Sequence, residues 1–371
     1  MAVPKETIWD LDPHSRAKHE ILRRYLGAWF PILSTYKGRI LYIDGFCGPG
    51  RYKTGEPGSP IIALEVAKNH SQTLRGELQF WFIDERPDRI GHLKAELASL
   101  ELPSSFKTSP EVGRFHEKLA PLLTQAETED KSLPPTFVFI DPFGFSGIPF
   151  KLVSQFLKQP ACEIFITFMV DAINRWLEHP NLEITQHIED VFGTKEAVTI
   201  ASGGGNRVAG LRILYQKQLQ DVAKFVRYFE MRDSADRIQY YLFFASNNRL
   251  GHLKMKEAMW MVNPGGEFRF SDATNPNQLV LLETDSTAAL IDTLLNQFKL
   301  RRVTGEEIRQ FVEDSTPFLG KHKTIALGQL EMDQKIRVEP KKLDGTARRK
   351  STYPDNVIIN FLQSSRLRDR E

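Results

Sequence analysis

The chain has 371 residues, is 41% hydrophobic, and carries 49 Lys+Arg against 47 Asp+Glu for a formal net charge of +2. Sequence of that length and apolar content predicts a substantial core and more than one domain. Two cysteines, Cys47 and Cys162, with no CxxC pair argue against a disulfide framework or a zinc site and set the expectation of a reduced, cytoplasmic protein. "MAVPKETIWD" lacks a basic start followed by an apolar run, so no signal peptide is expected. The apolar "IFITFMV" (164–170) is too short to span a bilayer, and no membrane association is expected.

In chain order, "PHSRAKHEILRRYLGAWFPIL" (13–33) places Ile21, Leu22, Tyr25, Leu26 and Trp29 on one side of a helix. Short apolar runs then alternate with helical patterns. "RILYID" (39–44), "LQFWFID" (78–84), "TFVFID" (136–141) and "EIFITFMV" (163–170) read as buried strands. "SPIIALEVAKNH", "RIGHLKAELASL" and "PFKLVSQFLKQ" read as the helices between them. This alternation predicts an α/β fold with a doubly wound, mainly parallel, Rossmann-like sheet. Residues 172–238 read as a helical insertion, in which "ASGGGNRVAG" (201–210) follows no strand and reads as a loop. "IQYYLFFASNN" (238–248) and "NQLVLLE" (277–283) are expected as late strands around a helix at "LGHLKMKEAMWMV". From residue 288 three short helices precede two strands, "KIRVEP" and "TYPDNVIINF", a winged-helix pattern. The expected domains are thus 1–287 and 288–371. Residues 298–371 carry 16 Lys+Arg against 11 Asp+Glu, a mildly basic tail that points to an anionic partner.

Three strands end in carboxylates, Asp44, Asp84 and Asp141. In an open parallel sheet ligands bind beyond the carboxyl ends of the strands, so three such residues describe one crevice. Each alone is also explained as a cap of the following helix. The first strand runs into "DGFCGPGRY". A P-loop needs a lysine and a hydroxyl after its last glycine, and Gly50 is followed by Arg51 and Tyr52. A G-x-G-x-x-G fingerprint fails as well, because the glycines fall at 45, 48 and 50. What fits is D-x-F-x-G-x-G at a strand end with an acidic residue closing the next strand. That is the layout of class I S-adenosylmethionine (SAM) methyltransferases. Glycines there let the backbone approach the amino-acid part of the cofactor. Asp84 is placed to accept hydrogen bonds from the ribose hydroxyls. The fourth-strand "FIDPFG" is similar to the (D/N)-P-P-(Y/F/W) of amino-methyltransferases, with the second proline replaced: Asp141, Pro142, Phe143, Gly144.

Together "HSRAKHEILRRYLGAW", "YIDGFCGPGRY", "GEPGSPIIAL", "FIDPFGFSG", "INRWL" and "LGHLKMKEAMW" resemble the three-Cys-motif partner protein family, TcmP. The likeness runs from about Trp9 to the "TYPD" near the C-terminus. It implies a methyltransferase-like fold usually encoded beside a protein with a three-cysteine, radical-SAM-like motif, the expected partner. The "KH" at 18–19 and the "GRY" are also similar to a ribosomal RNA adenine-N6 methyltransferase family, in which the Lys-His helix touches the cofactor.

The expected cofactor ligands are Lys18, His19, Asp44, Gly45, Phe46, Gly48, Gly50, Asp84 and Asp141. Asp141 and Phe143 are the expected catalytic pair, the carboxylate holding or deprotonating an acceptor amine and the ring stacking on a base. Arg51, Tyr52, Phe143 and Phe145 are expected to meet substrate, and no metal is expected. Lys18 and His19 are equally ordinary helix-surface residues, and Ser59 is explained by helix capping. Three functions compete: a SAM-dependent methyltransferase acting on an amine of a nucleic acid or nucleotide-like molecule, a non-catalytic binding subunit, and a metal-dependent nuclease built on the three aspartates. The glycine turn disfavours the last, since metal sites need none.

Overall fold

The computed structural model describes residues 4–35, 38–72, 74–203, 205–264, 269–271 and 287–362, without the side chains of 201 and 202. The chain forms two compact units. The first begins with α1 (Pro13–Ser34), which starts where the extended Asp12 accepts the Ser15 N–H at 2.6 Å. Ile21, Leu22, Tyr25, Leu26 and Trp29 are all buried, as their spacing predicts.

Strands and helices then alternate: β1 (Arg39–Asp44), α2 (Ser59–Lys68), β2 (Glu77–Asp84), α3 (Pro87–Ala98), β3 (Phe106–Val112), α4 (Phe115–Thr128), β4 (Thr136–Ile140), α5 (Phe150–Lys158) and β5 (Cys162–Phe168). The helices α6 (Val170–Trp176), α7 (Leu182–Phe192), α8 (Glu196–Ser202) and α9 (Arg207–Gln220) follow. The unit closes with β6 (Phe225–Arg232), β7 (Ile238–Ser246), α10 (Arg249–Val262) and β8 (Arg269–Ser271). The sheet order is β3-β2-β1-β4-β5-β7-β6-β8. Strands β1 to β5 are mutually parallel, and β7 runs antiparallel to both β5 and β6. Strand order reverses between β1 and β4, which puts the ligand crevice at the ends of Asp44 and Ile140. At the opposite end of the sheet, Glu163 accepts Tyr25 Oη at 2.5 Å and Ser246 Oγ at 2.8 Å, tying α1, β5 and β7 together.

One expectation needs correction, and one strand escaped the sequence pattern. The insertion is helical only to Gln220, because Phe225–Arg232 is strand β6. Its alternation of Tyr228, Glu230 and Arg232 with buried Phe229 and Met231 is a one-sided strand, not a buried run. Strand β3, "FKTSPEV", lies at the sheet edge with a half-exposed pattern and a proline, and so lacks the apolar signature of its neighbours. The expected strand at 277–283 lies outside the described residues.

The second unit contains α11 (Thr287–Gln297), β9 (Arg302–Thr304), α12 (Gly305–Ser315), α13 (Gly320–Met332), β10 (Ile336–Lys342) and β11 (Val357–Phe361). Its antiparallel sheet has the order β10-β11-β9, one strand more than the sequence pattern gives. Three cations of the basic tail turn inward. His322 Nδ1 accepts the Leu319 N–H at 3.0 Å, Lys323 Nζ donates to the Tyr353 carbonyl at 3.1 Å, and Arg348 pairs with Glu331 at 2.7 Å.

Among the described residues no helix is long and apolar enough to cross a membrane, and no group of three His, Cys, Asp or Glu side chains is placed to hold a metal ion.

Candidate functional site

The glycine turn after β1 is fixed by backbone geometry. The Cys47 N–H donates to the Ile83 carbonyl at 2.9 Å, and the Gly48 N–H donates to Asp84 Oδ2 at 3.1 Å. Gly48 has φ +61°, a conformation that side chains rarely adopt. At Gly45 a Cβ would lie 2.3 Å from the Phe115 ring, so glycine is required there by close approach. The turn opens on a cavity of about 180 Å³ lined by Lys18, His19, Gly48, Tyr52, Asp141 and Phe143, among others. Phe46, Gly50 and Arg51 also line it, while Asp44, Gly45, Asp84 and Phe145 do not.

Each of those carboxylates has a different environment. Asp141 follows β4 and receives Lys18 Nζ at 2.6 and 2.5 Å on its two oxygens, with Thr167 Oγ1 at 2.6 Å. Helix α1, β4 and β5 thus meet at one carboxylate. Asp44 is fully buried, and burial pushes its carboxyl up to about 7, with the charges of Asp141 and Asp84 adding to the rise and hydrogen bonds from Ser59 and the Phe46 N–H opposing it. Ser59 therefore serves Asp44, whereas the cap position of α2 is Gly58. Burial also raises Asp84, against the opposing pull of the Arg86 N–H, Arg89 and the Gly48 N–H.

His19 is 6% exposed, lines the cavity, and its Nδ1 has no hydrogen-bond partner. Burial and the neighbouring Lys18 lower it to about 3, which keeps the imidazole neutral. Tyr52 packs its ring 5.7 Å from His19. Arg51 is held by Glu96 at 2.8 Å and the Gly55 carbonyl at 3.1 Å, so its guanidinium clamps α3 to the turn. Cys47 is buried and its thiol is pushed up by burial, which suits a small packing residue.

Sequence reasoning missed the arm before α1. The Pro4 carbonyl accepts Arg86 Nη1 at 2.9 Å and Arg89 Nη2 at 3.1 Å, and the Trp9 carbonyl accepts the Lys53 N–H at 2.9 Å. The Trp9 indole lies 4.8 Å from the Arg89 guanidinium, edge-on to Phe143 at 5.5 Å and to Tyr52 at 5.8 Å. Thr167 was legible as a lone hydroxyl at the carboxyl end of an apolar strand. Arg89, five residues after Asp84, had no such signal.

On the other side of the 141–147 loop, a second cleft of about 410 Å³ is lined by Phe143, Phe145, Arg175, Trp176 and His187. Asn247 lies at the opposite end of the sheet, where its amide donates to the Leu157 carbonyl at 2.7 Å.

The mostly parallel sheet, with its antiparallel β7 between β5 and β6 and helices on both faces, settles the architecture. The fold is a doubly wound, Rossmann-like α/β sheet. No protein-family profile matches the chain. No curated protein matches it at a significant level. Solved structures that it resembles include Trm1 from Pyrococcus horikoshii in complex with SAM, at 13% identity and TM-score 0.35, covering 70% of this chain and 62% of that one. Human methyltransferase-like protein 13 in complex with SAH is similar at 10% identity and TM-score 0.36, covering 67% of this chain and 91% of that one. The match therefore spans less than two thirds of the Trm1 chain.

Proposed function

We propose that this chain is a SAM-dependent methyltransferase acting on an amine of a nucleic acid or nucleotide-like substrate. The observation that carries the reading is the junction of the glycine turn, the unpartnered His19 Nδ1 and Asp141 around one cavity. Glycine at 48 and 50 keeps side chains off the cavity wall where the amino-acid part of the cofactor would lie, and His19 and the Asp141-paired Lys18 line the same cavity. Asp84 is placed to take the ribose hydroxyls once Arg89 yields its share of the carboxylate. When bound, SAM supplies a methyl group on a positively charged sulfur. The protein's own contribution is positional, as methyl transfer depends on in-line orientation. Asp141, fixed by Lys18 and Thr167, holds an acceptor N–H, and Phe143 offers a face for the base that carries it. The cleft at Phe145 and Trp176 is the acceptor's route to that point.

The resemblance to the TcmP family supports a three-cysteine, radical-SAM-like protein as partner, with the second unit, read as a winged-helix-like module, docking it. The non-catalytic alternative is favoured by Phe143 in place of a second proline and by the ion pair that occupies Asp141. Calorimetric titration with SAM, followed by methyl incorporation into bulk RNA, DNA and the partner protein, separates the two readings. Binding with incorporation into a nucleic acid supports the enzyme. Binding without incorporation into any acceptor leaves the subunit. Absence of SAM binding overturns the methyltransferase, and absence of binding to both SAM and nucleotides overturns the subunit as well.

A further inference from the structure

The cavity beside the glycine turn is about 180 Å³, below the roughly 300–1,000 Å³ of sites that enclose a drug-sized ligand. That volume is too small to enclose the whole of SAM. The missing space is filled by the chain itself. Trp9 lies 3.3 Å from where a Gly48 Cβ would stand, on the turn whose N–H binds Asp84. Its flat, nitrogen-bearing ring sits against a guanidinium and two aromatic rings, the contacts that a purine makes. Asp84 is 4% exposed beneath this cover and faces Arg89 at 3.6 Å. The anchors are few and polar: Arg86 holds the Pro4 and Lys5 carbonyls at 2.9 and 3.0 Å, and Thr7 donates to Asp88 at 2.5 Å.

We propose that the arm from Pro4 to Trp9 is an internal competitor for the nucleoside half of the cofactor, with Trp9 standing in the purine position. This rests on the cofactor reading above. The arm leaves as the nucleoside enters, so apparent affinity is reduced by the fraction of molecules with the arm seated. Loosening the arm then tightens binding. Trp9→Ala removes the ring, and Arg86→Ala removes the anchor without touching the cavity.

The test is calorimetric titration of SAM into the full-length wild type and both variants, each first shown by circular dichroism and thermal melting to be folded. Both variants are expected to bind about 3–30-fold more tightly than the wild type. Hydrogen exchange at residues 5–10 is expected to accelerate when SAM is added to the wild type. Equal or weaker binding by both variants, or exchange that slows on addition of SAM, overturns the competitor and makes Trp9 a stacking partner, while the cofactor reading stands. Absence of SAM binding in all three proteins overturns the cofactor reading and this inference with it.

Discussion

Lys18 and Asp141 form a pair across 123 residues of sequence, with side chains 5% and 21% exposed. Removing one partner from a pair this buried leaves a charge without compensation. Lys18→Met is therefore expected to cost about 3 kcal/mol in urea unfolding, and adding Asp141→Asn should recover part of that loss. Asp44 gives a pH signature of its own. Its carboxyl titrates near 3.8 when unfolded and is pushed up to about 7 in the fold, so between those values the folded protein holds a proton that the unfolded chain has released. Stability from Asp44 is thus full below about pH 4 and falls as pH rises to about 7, a loss of about 4 kcal/mol across the window. His19, lowered to about 3, works in the other direction, losing stability as pH falls below its ordinary 6.5. Asp44→Asn cancels the first effect alone. Its stability relative to wild type should be about 3 kcal/mol better at pH 7.5 than at pH 4.5, and an equal difference at both pH values would mean that Asp44 is ionised in the fold.

At the scale of elements, what the sequence made legible was whatever a buried, one-dimensional pattern encodes. "FVFI" and "ITF" are apolar on both faces because helices cover both sides of the sheet, and such runs are readable without knowing their neighbours. β3 and β6 were not, because an edge or one-sided strand takes its identity from the strand beside it. The crevice was legible in part: Asp44, Asp84 and Asp141 fall at strand ends, yet only Asp141 lines the cavity. Which carboxylate faces open space depends on Arg89 and the arm, whose positions no local pattern fixes. The glycine turn is the most constrained element. A Cβ at Gly45 overlaps the Phe115 ring, which is itself stacked on Phe46 at 5.7 Å. Gly45→Ala should cost about 1–3 kcal/mol by overpacking, with much of it regained in a Gly45→Ala, Phe115→Leu double variant. No regain would place the strain in the backbone instead of at the ring.

For the whole molecule, the question is what the second unit meets. Six cations, Lys321, His322, Lys323, Arg348, Arg349 and Lys350, suggest a surface for phosphates when read along the sequence. In the fold Lys323 is buried against the Tyr353 carbonyl, His322 caps its own helix, and Arg348 is committed to Glu331. Lys321, Arg349 and Lys350 remain exposed. Helix α13 also leaves Ile325 and Met332 at 51% and 71% exposure, an apolar character that suits a protein surface better than a phosphate backbone. Each phosphate engaged contributes a slope of about −0.9 to the dependence of log affinity on log salt for duplex DNA. The three exposed cations can therefore supply a slope of at most about −3, half of what six would give. Replacing Lys321, Arg349 and Lys350 with alanine in the full chain, and measuring duplex DNA binding from about 50 to 200 mM salt, reads that number directly. The expected result is an unchanged slope, with the unit serving to dock a protein. A slope made shallower by about 3 would instead assign these side chains to nucleic acid and return the unit to the role its sequence pattern suggests.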